Sequence, residues 1–286
     1  MFGGIEAGGT KFVCAVADDK LKIIARVSIP TTTPSKTMQE VLAFFAEYEI
    51  KAFGVGSFGP IDINPKSAKY GFITKTPKLA WQDYDFVGAL KQQHNVPIAW
   101  TTDVNAAAYG ELKKGAAIGK ESCLYLTVGT GVGGGAVVNQ EVLTGFGHPE
   151  MGHLLIRPHV DDTFQGNCPF HQNCLEGMAA GPAIEARLGK KGQGIPKDDP
   201  SWAMVADYLA QALMSYTLTL SPEMIILGGG VMNQQQLFPL IRQKFSEYLA
   251  GYVSTPDLER YIVPCGLVDE SGITGCLLLA EKELNH

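Results

Sequence analysis

The chain has 286 residues, of which 45% are hydrophobic and 18% charged, and this balance is ordinary for a globular protein. Its formal net charge of −6 argues against a nucleic-acid or membrane-surface partner, because both select basic surfaces. The opening MFGGIEAGGTK lacks the features of a secretory signal, and no apolar run reaches the ~18 residues of a spanning helix. We therefore expect a cytoplasmic protein whose six cysteines are reduced.

Strand and helix patterns alternate along residues 1–117, which we predict to form an N-terminal α/β lobe. An antiparallel meander is predicted first, and a loop rich in Pro, Lys and aromatic residues is expected before Trp81. The predicted elements, in chain order, are the strands FGGIEAG, TKFVCAVAD and KIIARVSIP, a helix at 37–48, the strand KAFGVGSFG, a helix at 86–94, the strand VPIAWTTD and a helix at 104–114.

Residues 118–272 are predicted to form a second α/β lobe, and a C-terminal helix at about 273–286 is expected to pack back on the first. The segment LTVGTGVGGGAV repeats the strand–turn–strand pattern of IEAGGTKFVCAV, which indicates two similar lobes with a ligand cleft between them. The predicted elements are the strands in SCLYLTVGTGVGGGAVV, the short strand EVLTG, helices at 179–188 and 202–220, the strand EMIIL, a helix at 237–249, the strand YIVPCGL and the closing helix.

Two glycine turns stand at matching places in the two lobes, Gly8-Gly9-Thr10-Lys11 and Gly129-Thr130-Gly131. Such turns let backbone N–H groups approach an anion, and a neighbouring hydroxyl can donate to phosphate. Neither has Walker spacing, and either one alone is equally consistent with an ordinary hairpin. The pair favours phosphate binding, and Gly228-Gly229-Gly230 suits the close approach of a nucleotide base or ribose.

Asp103 ends one predicted strand and precedes a helix, in the motif TTDVNAAA. An acid at this position commonly serves only to stabilise the helix N-terminus. The functional interpretation is a general base that takes a proton from a hydroxyl attacking phosphate. The residue pattern alone leaves both interpretations open.

Cysteines and histidines are concentrated between His148 and Gly177. Cys168, His171 and Cys174 follow C-x-x-H-x-x-C spacing, so that a tight loop could direct all three inward. A structural zinc ion takes four nitrogen or sulfur ligands in a tetrahedron. The fourth ligand is open at this point among His153, His159 and the more distant His148. A polar surface loop is the less favoured interpretation.

Glu150 and His153 lie beside this segment, and Glu176 follows Cys174 by two residues. Carboxylate and imidazole groups can fix the hydroxyl groups of a polyol. If His153 binds zinc through one ring nitrogen, the other can contact a hydroxyl, and the metal would then orient a substrate ligand. Without the metal site, a solvated pair of charges would be favoured.

A specific set of motifs runs through nearly the whole chain in a fixed order: EAGGTK, GSFGPID, TDVNAAAYGE, GTGVGGG, HPEMGH, CPFHQNCLEG and LGGGVM. This set resembles the ROK family (repressors, open reading frames, sugar kinases) of the actin-like ATPase superfamily, and most of all its bacterial fructokinase branch. The resemblance implies an α/β fold of two RNase H-like lobes, with ATP and Mg²⁺ in the cleft, a structural Zn²⁺ and a homodimer.

The resemblance also implies a role for individual residues. Asp103 matches the catalytic base, and Asn105 is a weaker neighbour of the sugar site. The sugar-binding positions match Glu150, His153 and Glu176. The zinc ligands match His153, Cys168, His171 and Cys174, which places His153 ahead of His159. The nucleotide cradle matches Gly8, Gly9, Thr10, Lys11, Thr130, Gly131, Pro182, Gly229 and Gly230.

Three positions depart from the family pattern. Glu6 stands where Asp is more usual, and His171 replaces a cysteine in a knuckle whose gap from His153 is longer than in many relatives. Thr102 stands where many family glucokinases have Asn, which leaves fructose preferred over glucose. The function implied is ATP-dependent phosphorylation of a free hexose, D-fructose to fructose 6-phosphate.

Two further functions are weighed against this one. A kinase for glucose, mannose or an N-acylmannosamine would use the same fold and base, because hexose specificity depends on pocket shape. A non-catalytic sugar-sensing repressor is disfavoured, because the first strand begins at Phe2 without a preceding helix-turn-helix and the charge is acidic.

Overall fold

The computed structural model of the chain describes residues 1–285, and their framework is a pair of five-stranded sheets with one additional two-stranded sheet. Helices cover the sheets. The first part of the chain forms β1 (Phe2–Ala7), β2 (Lys11–Ala17), β3 (Ile23–Pro30), α1 (Pro34–Phe45), β4 (Ala52–Ser57), β5 (Phe72–Ile73), β6 (Tyr84–Asp85), α2 (Phe86–Lys91), β7 (Ile98–Thr102) and α3 (Asp103–Lys114).

The remainder of the chain forms a second set of strands and six helices within residues 1–285. These elements are β8 (Cys123–Val128), β9 (Val132–Val138), β10 (Glu141–Val142), α4 (Leu175–Ala179), α5 (Gly181–Leu188), α6 (Ser201–Leu220), β11 (Ile225–Gly228), α7 (Leu237–Leu249), α8 (Leu258–Tyr261), β12 (Ile262–Pro264) and α9 (Ser271–Leu284).

The two large sheets have the same topology. The first has the order β3-β2-β1-β4-β7 and the second β10-β9-β8-β11-β12. In each, the first three strands form an antiparallel meander, and the last two run parallel to the strand at its centre. The internal repeat in the sequence therefore corresponds to a repeated sheet, and the predicted α/β class and opening meander are confirmed.

Helices α3 and α9 cross at very short distance between the sheets. A Cβ atom on Gly275 would lie 1.7 Å from the Ala106 carbonyl oxygen, and one on Gly110 would lie 2.3 Å from the Ser271 carbonyl oxygen. Helix α9 also packs on β4, where a Cβ on Gly54 would meet the Cys276 carbonyl oxygen at 1.8 Å. Small residues thus permit the close packing of α3 and α9.

Glu111 joins the end of α3 to the start of α9. Its fully buried carboxylate accepts hydrogen bonds from the backbone N–H groups of Ala116, Gly266 and Leu267 and from the Ser271 hydroxyl. Four donors compensate for the loss of hydration of this charge.

The division of the chain at residues 117 and 118 stays a prediction, and the last residue of the expected closing helix, His286, lies outside the described residues.

The structure differs from the predicted elements at one helix start and in several short elements that were not predicted, among them β6. Helix α1 begins at Pro34, which suits the first turn of a helix, and not at residue 37. The expected loop before Trp81 contains the strand β5. The helix predicted at 179–188 is present as α5 (Gly181–Leu188), and the helix α4, which was not predicted, precedes it with extended backbone at Ala180 between the two. The short helix α8 was not predicted. No helix among residues 1–285 has the length and apolarity to cross a membrane.

Candidate active site and metal cluster

Asp103 is the first residue of α3 and follows β7 directly, so its carboxyl group lies where a helix N-terminus meets a sheet edge. Oδ1 accepts a hydrogen bond from the backbone N–H of Val104 at 2.9 Å. The residue keeps partial exposure, but protein atoms surround its carboxyl group. This burial, with repulsion from Glu6 and Glu150, raises the pKa of Asp103 to about 7.

Glu6, on β1, is a second carboxyl group with an altered titration. Burial raises its pKa to about 7, although Arg26 and Lys11 partly offset the effect. Among residues 1–285, its buried Oε2 has no hydrogen-bond partner. A Cβ on Gly272 would lie 2.4 Å from the Glu6 Cδ, so glycine at the start of α9 leaves room for this side chain. Such an oxygen could bind a divalent cation directly or through water.

The first glycine turn connects β1 to β2. The Gly8 N–H donates to the Lys11 carbonyl oxygen at 3.0 Å, and the Thr31 hydroxyl donates to the Gly8 carbonyl oxygen at 2.7 Å. The Thr31 N–H donates to the Thr10 carbonyl oxygen at 3.0 Å, which holds the turn against the end of β3. The turn therefore has a fixed shape, with Thr10 and Lys11 exposed.

The second glycine turn connects β8 to β9 at the equivalent place. The Gly129 N–H donates to the Gly131 carbonyl oxygen at 2.8 Å, and the Gly181 N–H donates to the Gly129 carbonyl oxygen at 2.8 Å. The Val132 N–H donates to Oε2 of Glu176 at 3.0 Å. A Cβ on Gly131 would lie 2.6 Å from that oxygen. The second turn thus contacts the starts of both α4 and α5.

A pocket of about 390 Å³ opens beside the second turn. Its lining brings together Thr130, Pro182 and Gly230, which are far apart in sequence. Gly229, next to the pocket, has φ of +88°, and a Cβ there would lie 2.5 Å from the Val128 carbonyl oxygen. Sequence reasoning missed four polar residues of the lining, which carry no local motif: Glu185, Lys191, Gln193 and Gln234. Their side chains can donate to or accept from a base or ribose.

His153, Cys168, His171 and Cys174 form one cluster, whose ligand atoms all lie within 4.8 Å of one another. Nδ1 of His153 is 3.4 Å from Nδ1 of His171, 3.7 Å from Sγ of Cys168 and 3.6 Å from Sγ of Cys174. Tetrahedral zinc bonds imply separations of about 3.3 Å between nitrogens and about 3.5 Å between nitrogen and sulfur. The donor types and distances therefore fit zinc.

His159, the other nearby candidate, lies apart from the cluster. Its Nδ1 accepts a hydrogen bond from the backbone N–H of Asp161 at 3.2 Å, and the backbone N–H of His159 donates to the Tyr208 hydroxyl at 3.1 Å. Asp162 accepts from the same hydroxyl at 2.6 Å and pairs with Arg187 at 3.0 Å. These contacts fix the loop between His153 and Cys168 to α5 and α6.

The expected sugar residues occupy different environments. Glu150 is exposed, and its Oε1 lies 3.5 Å from Nδ1 of His148. Glu176 contacts the second turn. Asn105 is fully buried, its amide nitrogen donates to the Thr101 hydroxyl at 3.1 Å, and its Oδ1 lacks a partner within residues 1–285. The structure therefore brings Glu150 to the cleft, whereas Asn105 is buried and does not line it.

His148 is a residue that sequence reasoning considered only as a distant zinc ligand. Its Nε2 accepts a hydrogen bond from the backbone N–H of Ile61 at 3.0 Å, which connects the two predicted lobes. Both residues line an open cleft of about 730 Å³ together with Glu150. No local pattern could have identified this contact, because it joins distant segments.

Comparisons with known proteins agree with these features. A family model described as ROK family matches residues 2–283. A fructokinase of Pediococcus pentosaceus is 52% identical over 286 residues, covering 100% of this chain and 99% of the relative. A putative fructokinase of Bacillus subtilis (strain 168) is 48% identical, with coverage of 99% and 96%. The crystal structure of a ROK hexokinase from Thermus thermophilus matches with 29% identity and a TM-score of 0.82, covering 99% of each chain.

Proposed function

This chain belongs to the ROK family, and we propose that it is an ATP-dependent fructokinase, which converts D-fructose to fructose 6-phosphate. The observation that carries this conclusion is the 39–52% identity to relatives named fructokinase, five of them across at least 91% of the chain. The two-lobed fold and the raised pKa of Asp103 agree with it.

Asp103 is proposed as the general base. The primary hydroxyl of fructose attacks the terminal phosphorus of ATP, and Asp103 accepts the proton that the hydroxyl loses. A carboxyl group whose pKa lies near 7 is a stronger base than an ordinary aspartate, and half of it is ionised at that pH. Because Asp103 is the first residue of α3, the helix fixes the position of its carboxyl group.

The nucleotide would lie along the two glycine turns. We assign the adenosine end to the pocket that contains Thr130, Pro182 and Gly230, and the phosphates to the Gly8–Lys11 turn. Mg²⁺ bound with ATP supplies neutralisation of charge on the phosphate oxygens. Glu6 is the residue placed to hold it, because its Oε2 has no partner among residues 1–285.

The sugar would be held by the groups next to the metal cluster. Zn²⁺, which fits the cluster of two histidines and two cysteines, supplies a fixed point in this loop. With Nδ1 of His153 turned to the cluster, its Nε2 remains for a fructose hydroxyl. Glu150 and Glu176 would accept hydrogen bonds from further hydroxyls, and Asn105 would support the floor of the site.

Four assignments complete the proposal. Closure of lobes 1–117 and 118–272 over both substrates would exclude water and limit ATP hydrolysis. The helix from about residue 273 belongs with the first lobe. The enzyme would act as a homodimer in the cytoplasm, where ATP is available and its six cysteines, none in a disulfide, stay reduced.

A coupled ADP-release assay tests the function. The purified, zinc-analysed enzyme is given MgATP with fructose, glucose, mannose or N-acetylmannosamine, and the sugar product is identified. We expect turnover chiefly on fructose, with the phosphate on the 6-position. Preferred turnover of another hexose would overturn the fructose assignment, and no turnover on any sugar would overturn the kinase.

A further inference from the structure

Lys78 lies directly over the first glycine turn. A Cβ atom on Gly9 would be 3.1 Å from Cε of Lys78 and 3.9 Å from its Nζ. The lysine comes from the segment before Trp81, which the family motifs do not include. The end of a lysine side chain is thus positioned beside Gly9, in a glycine turn of the kind that can bind phosphate.

The backbone of Lys78 is anchored, so this position is not that of a freely moving surface lysine. Its N–H contacts the Thr76 hydroxyl at 3.4 Å, and its carbonyl oxygen accepts from the Trp81 N–H at 2.8 Å. The buried indole of Trp81 donates through Nε1 to the Thr32 carbonyl oxygen at 2.8 Å. Lys78 is itself half-buried, and the end of its side chain lies beside the turn.

The ammonium group of Lys78 makes no hydrogen bond or ion pair in the part of the chain that is described, residues 1–285. Some other lysines are paired there: Lys51 with Asp19, Lys69 with Asp83, and Lys244 with Glu247. A cation without a counter-charge on the protein is available to an anionic ligand. A phosphoryl group in the turn would be such a ligand.

We propose that Lys78 is a catalytic residue that contacts the phosphoryl group during its transfer, and this rests on the proposed kinase function. The hydroxyl oxygen of fructose forms a bond to phosphorus, the bond from phosphorus to the bridging oxygen of ADP breaks, and the hydroxyl proton passes to Asp103. Lys78 keeps its protons and donates to a non-bridging oxygen, where negative charge accumulates.

Steady-state kinetics of Lys78→Met test this role. We expect kcat/KM for MgATP to fall about 10²-fold, the usual cost of one preorganised donor, with fructose affinity unchanged. Lys75→Met is the matched control, because Lys75 is an exposed lysine in the same segment. It should keep the activity of the unmodified enzyme. Thermal unfolding establishes that each variant is folded.

Two further measurements separate a charge contact from a structural role. Lys78→Arg should have a kcat/KM for MgATP about tenfold higher than that of Lys78→Met. Methylammonium should partly restore the activity of Lys78→Ala, because each change returns a cationic donor. The inference is overturned if Lys78→Met stays within about threefold of Lys75→Met, or if neither the arginine nor the amine restores activity. Turnover by the unmodified enzyme in the same assay shows separately whether the kinase function holds.

Discussion

The two glycine turns occupy equivalent places in two sheets of the same topology, but side chains of opposite charge face them. The Lys78 ammonium lies over Gly9 in the first turn, and the Glu176 carboxylate lies against Gly131 in the second. The ammonium has no partner among residues 1–285, whereas the carboxylate accepts the Val132 N–H. Two turns with equivalent backbone positions therefore have side chains of opposite charge beside them.

The surroundings of the turns explain this difference. The first turn is closed by its own Gly8–Lys11 hydrogen bond and held by Thr31, and the Lys78 ammonium beside it is available to an anion. The second is joined through Glu176 to α4, which begins one residue after the cluster residue Cys174. In the proposed enzyme, the first turn would contact the phosphoryl group that is transferred, and the second would link the proposed nucleotide pocket to the metal cluster.

Loss of the metal should have the largest effect on stability, and it should affect the second turn and not the first, because only the second turn is joined to the cluster. We expect His171→Ala to release zinc and lower the free energy of unfolding by about 4 kcal/mol, as loss of a structural metal commonly does. His159→Ala, on the same loop but outside the cluster, should keep zinc. Metal analysis and urea unfolding measure both. Retention of zinc by His171→Ala would contradict the ligand set.

A pair of alanine substitutions sharpens the comparison of the turns themselves. In Gly131→Ala the new Cβ displaces the Glu176 carboxylate from the Val132 N–H, and we expect a loss of about 1.5 kcal/mol in unfolding free energy. In Gly9→Ala it meets only the flexible end of Lys78, so stability should hold while KM for MgATP rises. Equal stability losses in the two variants would show that the turns do not differ in this way.

Glu176→Gln tests the carboxylate of the second turn with less disturbance. The amide oxygen of glutamine can still accept the Val132 N–H, so the fold should be unchanged. Loss of the charge should raise KM for fructose about tenfold and leave KM for MgATP unaltered. If only KM for MgATP changes, Glu176 contacts the nucleotide and not the sugar.

The acid limb of the pH profile tests the carboxyl groups behind the first turn. With the pKa of Asp103 raised to about 7, kcat/KM should rise as the pH passes through 7 and the base loses its proton. Glu6 raises that pKa by repulsion, so Glu6→Gln should move the limb to lower pH. If the acid limb of Glu6→Gln stays at the same pH, Glu6 does not raise the pKa of Asp103.

The same shifts affect stability in a defined direction. Glu6 and Asp103 both have pKa values raised in the folded state, so their contribution is complete below about pH 4 and is lost as the pH rises through about 7. The gain in urea midpoint from Glu6→Gln should therefore be larger at pH 8 than at pH 5. A gain that is independent of pH would contradict the raised pKa.

Local patterns in the sequence predicted much of the fold. The meander, the glycine turns and α7 follow from residue alternation, turn chemistry and helical spacing, which act over a few residues. The two-residue strands β5 and β6 and the four-residue helix α8 were missed. Elements this short are defined by tertiary contacts, because they contain too few residues for a periodic pattern.

The residues of the candidate site likewise include some that local sequence patterns predicted and some that they did not. The cluster residues were predicted because three of them are closely spaced and their side chains are typical metal ligands. Lys78 and His148 were not, because each acts through a contact with a distant segment: Lys78 over Gly9, and His148 on the Ile61 N–H. An isolated lysine or histidine carries no local sign of such a contact.

The central claim is that Asp103 acts as the base for a phosphoryl transfer carried out between the two turns. The most direct measurement compares Asp103→Asn with the unmodified enzyme, recording ADP release with fructose and the affinity for fructose in one set of conditions. We expect kcat to fall about 10³-fold, within the range of general-base losses, while fructose affinity is kept. Retention of more than about a tenth of kcat would contradict the claim, because no group would then be needed at that position to accept the proton.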